Sequence, residues 1–391
     1  MKKIFVLLMM ALATCNISAK SNFVQVKDGH FVRDGKPYYY VGTNFWYGAI
    51  LGSEGQGGNR ERLCKELDKM KEMGIDNLRI LVGSDGKRGV KTKVEPTLQE
   101  APGVYNDTIL AGLDYLLMEM GKRKMLAVLY LNNSWEWSGG YGYYLEQAGL
   151  GQAPRPNEDG YPAFMNFVAQ YASCEKAHQL FYDYVRFILT RTNRYTKKKY
   201  KDDPAIMSWQ IGNEPRAFSK EQLPAFEKWL GEASKLIRSL DKNHLISIGS
   251  EGKWGCEGEL NCWERICADK NVDMLGVDVY EFDNSDANYQ QNLAATLDVL
   301  MEAAKKVGKI PALTETGCRG IASKKDWFTQ TLWPVLQKYQ LSYVLFWRNA
   351  WDKPQEEAYL PGVGDGAIVE DFKAFKKEKK VLFAKDIVKV K

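Results

Sequence analysis

The feature that most constrains the fold of this chain is a regular alternation of two kinds of apolar segment. Segments with the helical period of about 3.6 residues, such as RERLCKELDKMKEMG and QLPAFEKWLGEASKLIRSL, alternate with short apolar runs typical of buried strands. Gly74 and Gly121 lie where two of the helical segments are predicted to end. The strand-like runs number eight and cover residues 38–44, 77–82, 125–131, 206–211, 245–248, 274–280, 311–314 and 342–347. This pattern predicts an α/β fold, a single (β/α)8 TIM barrel.

A short N-terminal β-hairpin is expected before the barrel. Two alternating runs in FVQVKDGHFVRDGKPYYY surround Asp28 and Gly29, a dipeptide that favours a tight turn. The alternative architecture is a doubly wound sheet, which normally carries a glycine-rich phosphate loop after its first strand. The corresponding segment here, GTNFWYG, matches such a loop poorly. Because no repeat or low-complexity linker divides the chain, we expect residues 20–391 to form one domain.

The first twenty residues, MKKIFVLLMMALATCNISAK, have the pattern of a secretory signal. A basic start precedes an apolar core at residues 4–13, which is too short to span a membrane. We therefore expect residues 1–19 to be a signal peptide and the mature protein to be secreted or periplasmic. The segment LATC also resembles a lipoprotein cleavage box that would leave Cys15 as a lipid-bearing N-terminus. Thr14 is a poor residue before such a cut, so ordinary cleavage is favoured.

Charge and histidine content exclude several classes of function. The formal net charge of +5 falls to +3 once Lys2 and Lys3 of the leader are removed, which is no case for nucleic-acid binding. No stretch beyond the leader is long and apolar enough for a transmembrane segment. The chain has only three histidines, so metal sites and histidine-based triads both lack residues: His30, His178 and His244. We expect no metal, no other cofactor and a monomer.

Six cysteines follow the leader, and export permits disulfides. Cys256, Cys262 and Cys267 are close enough in sequence for one pair, whose partners the sequence leaves open. Their spacing fits no zinc template, since no histidine lies in that segment. Cys318 has no histidine nearby in sequence, so buried packing is expected for it instead of a nucleophilic role.

The ends of the predicted strands carry polar and aromatic side chains, and barrel proteins place their functional residues at these ends. The candidates, in chain order, are Asn44, Trp46, Arg79, Asn132, Trp135, Asn213, Glu214, Glu251, Asp278, Tyr280, Glu315 and Trp347. The chain has 11 tryptophans, and several lie near these strand ends. Aromatic faces stack on the apolar faces of sugar rings, although about half of these rings are expected to serve packing alone. The segment NNSWEWSGGYGYY is the strongest candidate for a sugar-binding loop.

Two glutamates at strand ends suggest cleavage of a glycosidic bond, which commonly uses a pair of carboxyl groups. Glu214 and Glu315 follow the fourth and seventh strands and would project into one barrel mouth. Asn213 is suited to hydrogen-bonding a sugar 2-hydroxyl, Arg79 would keep a nucleophilic carboxylate ionised, and Tyr280 could donate to the same carboxylate. Each of these residues alone is weak support, since NEP often begins a helix. Their joint placement favours the catalytic interpretation.

Several motifs together resemble a known family: VGTNFWYG, GIDNLRIL, LNNSWEWSGG, DDPAIMSWQIGNEPR, GSEGKWGCEG and ALTETG. They are similar to the endo-β-1,4-mannanases of glycoside hydrolase family 5, which are retaining barrels with catalytic glutamates on strands four and seven. The likeness runs from about Gly29 to the last strand. The resemblance implies Glu214 as the acid/base and Glu315 as the nucleophile. It also implies substrate-binding or supporting roles for Trp46, Arg79, Asn132, Trp135, Asn213, Asp278, Tyr280 and Trp347.

Two departures from the family pattern affect this interpretation. The segment GVDVYEF places Asp278 where the family usually has a histidine, and a third carboxylate near the pair would raise the pKa of the acid or disturb its geometry. The segment VLFWRNAWD resembles the last strand of family 26 mannanases, a sister family in the same clan.

The sequence thus predicts a secreted, retaining, endo-acting glycoside hydrolase that cleaves β-1,4-mannosidic linkages in mannan, glucomannan or galactomannan. A β-mannan-type polysaccharide is the expected partner. Two alternatives stay open: a β-1,4-glucanase with the same chemistry, and a catalytically impaired surface protein that only binds glycans. The retention of both Glu214 and Glu315 argues against the second alternative, whereas Asp278 keeps it open.

Overall fold

The computed structural model describes residues 22–73, 75–86, 94–281, 289–318, 333–339 and 341–345. The strands within these ranges are β1 (Gln25–Lys27), β2 (His30–Arg33), β3 (Lys36–Pro37), β4 (Val41–Asn44), β5 (Asn77–Leu81), β6 (Gln99–Ala101), β7 (Val104–Tyr105), β8 (Leu126–Tyr130), β9 (Ile206–Gln210), β10 (Leu245–Ser247), β11 (Met274–Glu281), β12 (Ile310–Cys318) and β13 (Ser342–Leu345). The predicted leader at residues 1–19 lies outside the described residues.

The helices are α1 (Gly48–Leu51), α2 (Arg60–Met73), α3 (Asp107–Lys122), α4 (Gly140–Ala148), α5 (Pro156–Asp159), α6 (Tyr161–Val168), α7 (Glu175–Thr190), α8 (Leu223–Leu240), α9 (Leu260–Cys267), α10 (Tyr289–Lys306) and α11 (Trp333–Tyr339). Short 3-10 helices occupy Glu136–Ser138, Ala169–Ser173, Tyr200–Asp202 and Gly252–Cys256. Over the ranges that the structure describes, no helix combines the length and apolar character that a membrane span requires.

One eight-stranded sheet contains all eight predicted strands, in the order β10-β9-β8-β5-β4-β13-β12-β11. Every pairing in it is parallel, and the last strand in sequence, β13, pairs with the first, β4. The strand order therefore follows the chain continuously, which differs from the order reversal of a doubly wound sheet. The prediction of eight parallel strands alternating with helices is confirmed.

The two edge strands of this sheet, β10 and β11, approach each other at two places, one of them beyond the end of β10. Ser250 and Val277 form an isolated parallel bridge, and the backbone N–H of Asp278 donates to the carbonyl of Ser250 at 2.9 Å. Further down, the backbone N–H of Asp273 donates to the carbonyl of Ile246 at 2.9 Å. These contacts bring the fifth and sixth strands of the predicted series side by side.

Alternation along the strands explains where the core and the polar groups lie. Every residue of β5 is buried, but Leu78 and Ile80 join the apolar core shared with the helices, whereas Arg79 points to the opposite side. On β9, Gln210 lies on the same side as Arg79, while Trp209 packs into the core. Complete burial on both faces is typical of parallel strands covered by helices. The polar side is where the candidate site forms.

The N-terminal segment forms a small antiparallel sheet of β1, β2 and β3, with Asp28 and Gly29 at the turn between β1 and β2. Phe31 of this sheet belongs to a second apolar cluster with the first residues of the central strands, including Leu126, Leu245 and Met274. This sheet therefore covers the amino-terminal end of the central strands, opposite the end that carries the candidate residues.

Two details of the sequence-based predictions are corrected. Gly121 does not end its helix, because α3 continues to Lys122 and the left-handed residue that follows is Lys124, with φ of 57°. The three clustered cysteines are buried free thiols, so no disulfide joins them: Cys256, Cys262 and Cys267. Helix ends and thiol pairing both depend on tertiary packing, which local sequence does not specify.

A buried carboxylate of α3 binds the segment between α7 and β9. Asp114 of α3 is fully buried and accepts hydrogen bonds from the Arg191 guanidinium at 2.7 and 3.2 Å. It also accepts from the Tyr200 hydroxyl at 2.6 Å and the Arg194 backbone N–H at 3.2 Å. These bonds hold the chain in place where it enters β9, the strand that leads into Glu214.

Replacement of Asp114 is therefore expected to destabilise the fold. Asp114→Ala should lower the free energy of unfolding by about 3 kcal/mol, because it removes one partner of a buried ion pair. Urea denaturation followed by circular dichroism measures the change. The matched control is Asp183→Ala, which removes an exposed carboxylate paired with Arg186 and should change the stability by less than about 0.5 kcal/mol. Equal effects of the two variants would contradict this account.

Candidate active site

A single arginine lies at the centre of the candidate site. Arg79, on β5, is 1% exposed, and its guanidinium donates to four side chains from three other strands or their ends. Its Nε donates to Gln210 at 2.7 Å, Nη1 donates to Asn44 at 3.1 Å and to Glu315, and Nη2 donates to Asn213 at 2.9 Å. A planar guanidinium with fixed donors positions several acceptors at once. Residues far apart in sequence are brought together in this way.

Two further groups complete the surroundings of Arg79. The Tyr130 ring lies beneath the guanidinium, with 4.4 Å between the guanidinium carbon and the ring centroid, a cation–π geometry. Asp278 Oδ2 is 3.6 Å from Nη2, an ion pair with both side chains buried. The positive charge of Arg79 thus faces two carboxylates, Asp278 and Glu315. A buried carboxylate needs such a partner to remain ionised.

Glu214 follows β9 in an uncommon backbone conformation. Its φ is 48°, in the left-handed region that residues other than glycine rarely adopt. The conformation is held by the Glu214 backbone N–H, which donates to the carbonyl of Gly249 at 2.8 Å, and by the Ser134 hydroxyl, which donates to the carbonyl of Glu214. Strained positions of this kind cluster at functional sites. Here the strain directs the Glu214 side chain toward the indole of Trp135, whose Nε1 donates to Oε2.

Three carboxyl groups converge at this end of the sheet. One oxygen each of Glu214, Asp278 and Glu315 lie within 4.8 Å of one another. The carboxyl groups of a retaining glycosidase are about 5–5.5 Å apart, so Glu214 and Glu315 have a suitable separation. Over the described part of the chain, this is also the one group of side chains close enough to hold a metal ion. Arg79 already supplies positive charge beside two of its members.

The electrostatic surroundings favour a protonated Glu214. Burial raises the pKa of Glu214 well above its usual value, and the negative charges of Glu251, Glu315 and Asp278 raise it further. The hydrogen bond from Trp135 acts in the opposite direction and lowers it. A carboxyl group with a raised pKa keeps its proton near neutral pH and can act as a general acid.

Asp278 lies beside Glu315, because β11 and β12 pair in parallel with these residues in register. The register shifts between Val277 and Asp278, because β12 has one extra residue, Thr314, between their partners Leu313 and Glu315. Oδ1 of Asp278 accepts a hydrogen bond from the Thr314 hydroxyl at 2.5 Å. Burial raises the pKa of Asp278 well above its usual value, while Arg79 lowers it and Glu315 raises it.

Glu251 was named from the sequence as a strand-end candidate, but no role was assigned to it there. It follows β10, and its charge is the first of the three that raise the pKa of Glu214. Arg216 Nη1 lies 3.5 Å from Glu251, and Arg216 Nε donates to Glu257 at 3.2 Å. Burial raises the pKa of Glu251 itself, and Arg216 lowers it. Its position at the end of the fifth strand was the sequence signal available.

Three residues that contact Arg79 or Glu214 were missed in the sequence: Tyr130, Ser134 and Gln210. Gln210 and Tyr130 occupy the last positions of β9 and β8, so their place at strand ends could have indicated them. Nothing in the residues around Ser134 indicates a bond to the Glu214 carbonyl, because that contact depends on the packing of two separate loops.

The predicted substrate-binding residues differ in their exposure and in the hydrogen bonds they make. Trp135 is partly exposed and contacts Glu214. Asn213 is buried and already bound on both sides, because its oxygen accepts from Arg79 and its amide donates to Asn133 at 3.2 Å. The predictions for Tyr280, as a side chain, and for Trp347 lie outside the described residues.

Two of the predicted contacts with substrate are not supported by the geometry. Asn132 is fully buried, and its amide donates to the Tyr171 hydroxyl at 3.0 Å while its oxygen accepts from the Asn133 backbone at 2.8 Å. Asn132 therefore orients the loop and does not face an open cleft. Trp46 is 3% exposed, and its ring packs against Trp137, with 6.4 Å between centroids. It belongs to the packed wall of the site.

Comparison with known proteins points to one family. Residues 21–309 match the sequence model of a family described as GH family 5 beta-mannosidase-like. The chain is 29% identical over 238 residues to mannan endo-1,4-beta-mannosidase 1 of Solanum lycopersicum, covering 61% of this chain and 55% of that protein. It is 31% identical over 234 residues to mannan endo-1,4-beta-mannosidase 7 of Arabidopsis thaliana, covering 60% and 50%. The chain thus spans about half the length of these curated relatives.

Solved structures agree with this family. A glycoside hydrolase family 5 mannosidase from Rhizomucor miehei matches with a TM-score of 0.79 at 26% identity, over 95% of this chain and 99% of that chain. The endo-beta-1,4-mannanase from Thermotoga petrophila matches with a TM-score of 0.71 at 22% identity, over 88% of this chain and 77% of that chain. The second match supports the fold alone.

Removal of the central positive charge is expected to destabilise the site in a pH-dependent manner. Arg79→Met should lower the free energy of unfolding by about 3–5 kcal/mol at pH 8, because it leaves buried carboxylates without a partner. The loss should be smaller at pH 5. Arg79 lowers the pKa of Asp278, so this pKa rises further in the variant and the group takes up a proton at the lower pH.

Chemical denaturation of the variant and the wild type at both pH values measures the difference. Arg186→Met serves as the control, because Arg186 is 46% exposed and pairs with an exposed aspartate. A loss of stability that is the same at pH 5 and pH 8 would show that Arg79 does not balance buried negative charge.

Proposed function

The chain belongs to the GH family 5 beta-mannosidase-like family, and on that premise we propose that it is a retaining glycoside hydrolase acting inside β-1,4-linked mannan chains. Mannan, glucomannan and galactomannan are the proposed substrates. The observation that carries the proposal is the pair Glu214 and Glu315, whose carboxyl oxygens lie within 4.8 Å and which have opposite surroundings. Glu315 is bound to a buried arginine, whereas burial and negative neighbours raise the pKa of Glu214.

The proposed reaction is a double displacement. In the first step, Glu315 attacks the anomeric carbon while Glu214 gives its proton to the departing glycosidic oxygen. A covalent glycosyl–enzyme ester forms, and the rest of the chain leaves. In the second step, Glu214, now ionised, takes a proton from water, and the water oxygen attacks the same carbon and releases Glu315. The proton on Glu214 is restored, so the enzyme returns to its starting state.

The remaining residues have supporting roles in this proposal. Arg79 binds and orients Glu315, and Asn213 contacts the sugar from beside Arg79. Trp135 offers a partly exposed ring to the sugar on the leaving side, because its indole also binds the acid Glu214. Tyr280 and Trp347 keep their proposed roles at the nucleophile and under the sugar.

The proposal includes two wider expectations. The contacts of Ser250 with Val277 and Asp278 support closure of the eight-stranded sheet into a (β/α)8 barrel, with the site at its carboxyl end. Residues 1–19 are proposed to be a secretory leader, which would place the enzyme outside the cytoplasm, where polysaccharide substrates are found.

A second candidate is release of single mannose units from chain ends. It is favoured by the family 5 mannosidase from Rhizomucor miehei, which is 26% identical over 95% of this chain and has been solved in complex with mannosyl-fructose, a short mannoside. Sizing of early products from a long mannan separates the two. Internal cleavage gives a mixture of oligosaccharides and a rapid fall in viscosity, whereas terminal cleavage gives mannose alone.

Loss of either glutamate is expected to abolish hydrolysis of mannan. Glu315→Ala and Glu214→Ala should each reduce kcat by at least about a thousandfold, since each removes a group that takes part in bond cleavage. Reducing-end release measures the activity, and circular dichroism verifies the fold. The matched control is Glu158→Ala, a change at an exposed carboxylate paired with Arg155, which should retain full activity.

Azide added with an activated aryl β-mannoside distinguishes the two roles. Glu315→Ala should give the α-mannosyl azide, because azide replaces the missing nucleophile and inverts the anomeric carbon. Glu214→Ala should give the β-mannosyl azide, because azide attacks the covalent intermediate from the opposite face. Exchange of these two products would reverse the assignment, and wild-type turnover by either variant would rule out the mechanism.

Glu251 is expected to set the alkaline limit of activity. Its negative charge raises the pKa of Glu214, so Glu251→Gln should lower that pKa, and Glu214 should then lose its catalytic proton at a lower pH. The alkaline limb of the kcat/KM profile should move to lower pH. Glu257→Gln is the control, because Glu257 binds the same Arg216 but is not among the charges acting on Glu214. An unchanged alkaline limb in Glu251→Gln would reject this role.

A further inference from the structure

Oδ2 of Asp278 has no hydrogen-bond partner among the described residues. Asp278 is 3% exposed, and its Oδ1 accepts from Thr314, but Oδ2 is buried without a hydrogen bond. Its ion-pair partner among the described residues is Arg79, with 3.6 Å between Oδ2 and Nη2. Buried polar atoms nearly always have a hydrogen-bond partner, so a buried oxygen without one in a site is a candidate to bind a ligand atom.

The position of the Asp278 carboxyl group identifies the part of the sugar that it can reach. An oxygen of Asp278 lies within 4.8 Å of oxygens of both Glu214 and Glu315, and the proposed mechanism places the anomeric carbon between those two glutamates. Asp278 therefore borders the substituents of the anomeric carbon. Two ring atoms are attached to that carbon: C2, which carries a hydroxyl, and the ring oxygen.

A hydroxyl suits Asp278 better than the ring oxygen does. A hydroxyl both donates and accepts, so it can pair with a carboxyl group in either protonation state. The ring oxygen has no proton to donate, and it becomes electron-poor as the glycosidic bond breaks. The 2-hydroxyl is thus the partner that fits Asp278 throughout the reaction.

Asn213 lies beside the same position and completes the arrangement. Its oxygen accepts from Arg79 Nη2 at 2.9 Å, the same nitrogen that is 3.6 Å from Asp278 Oδ2. Its amide nitrogen donates one N–H to Asn133 and retains a second N–H. A 2-hydroxyl between the two side chains can accept from Asn213 while it pairs with Asp278. Two contacts of opposite kind fix the direction of that hydroxyl.

We propose that Asp278 is a specificity-determining residue, whose unpaired Oδ2 hydrogen-bonds the 2-hydroxyl of the sugar at the cleavage point. The inference rests on the proposed function and adds a named contact to it. Mannose and glucose differ in the direction of this hydroxyl, so a fixed pair of partners selects between mannan-type and glucan-type chains. Since bonds to the 2-hydroxyl strengthen in the transition state, the contact acts on kcat as well as on KM.

A double-mutant-type cycle tests the contact: the Asp278 side chain and the substrate 2-hydroxyl are removed separately and together. The substrates are an aryl β-mannobioside and its analogue that lacks the 2-hydroxyl on the sugar next to the aryl group. kcat/KM for both is measured with the wild type, Asp278→Ala and Asp278→Asn. The factor by which loss of the hydroxyl changes kcat/KM should be about ten- to a hundredfold larger in the wild type than in Asp278→Ala. Intrinsic reactivity of the two substrates cancels in this comparison.

Controls separate the contact from a structural effect. Asp183→Ala, at an exposed carboxylate in α7, should give the same factor as the wild type. Asp278→Asn keeps the shape of the side chain and a bond to Thr314, so it provides a folded variant if Asp278→Ala does not fold. Melting curves verify both. If loss of the 2-hydroxyl changes kcat/KM by the same factor in Asp278→Asn and Asp278→Ala as in the wild type, the proposal is overturned.

Failure of this inference is distinct from failure of the proposed function. Normal mannan hydrolysis together with an unchanged factor overturns the role of Asp278 alone. Hydrolysis of glucose-configured substrates only overturns the proposed mannan specificity and the selection of mannose by Asp278, whereas the same cycle on a 2-deoxy cellobioside still tests the hydroxyl contact. A wild-type protein that neither binds nor cleaves either series overturns both proposals.

Discussion

The buried guanidinium of Arg79 is the interaction on which the rest of the site depends. It is 1% exposed, lies on the ring of Tyr130 and faces Glu315, Asp278 and Asn213 from three different parts of the sheet. Carboxylates removed from water are costly unless they are paired, so the strands can bring these acids together because one cation lies between them. A lysine could not replace it, since its single ammonium lacks the planar set of donors that binds acceptors in several directions.

The charge distribution around this arginine separates the two glutamates chemically. Glu315 is on the side of the guanidinium and accepts a hydrogen bond from it. Glu214 is on the other side, among Glu251, Asp278 and Glu315, where burial and like charges raise its pKa. Two residues of the same type thus differ in the way that their proposed roles, nucleophile and general acid, require. The left-handed backbone of Glu214 belongs to the same arrangement, because it turns the side chain toward Trp135 and the shared space.

Much of the fold could be predicted from the periodicity of apolar residues in the sequence. Parallel strands buried on both faces give continuous apolar runs, and all eight runs that were identified lie in the central sheet. Predictions failed where local sequence has little influence. Gly121 lies within α3, which continues to Lys122, and the left-handed residue after the helix is Lys124. Cys256, Cys262 and Cys267 are close together in sequence but form no disulfide. Asn132 was chosen for its place at a strand end, yet its amide is directed to Tyr171.

The sequence by itself determined the parallel α/β architecture, the family motifs and the two glutamates after the fourth and seventh strands, because these features are written in local patterns and spacing. Only the tertiary structure decided that Glu251 acts on Glu214, that Asn213 is bound on both sides, and that Oδ2 of Asp278 accepts no hydrogen bond from the described residues. Those facts depend on strand register and on the distances between side chains from different strands. Pairwise distances of that kind arise only when the sheet has formed, so no single segment of the chain encodes them.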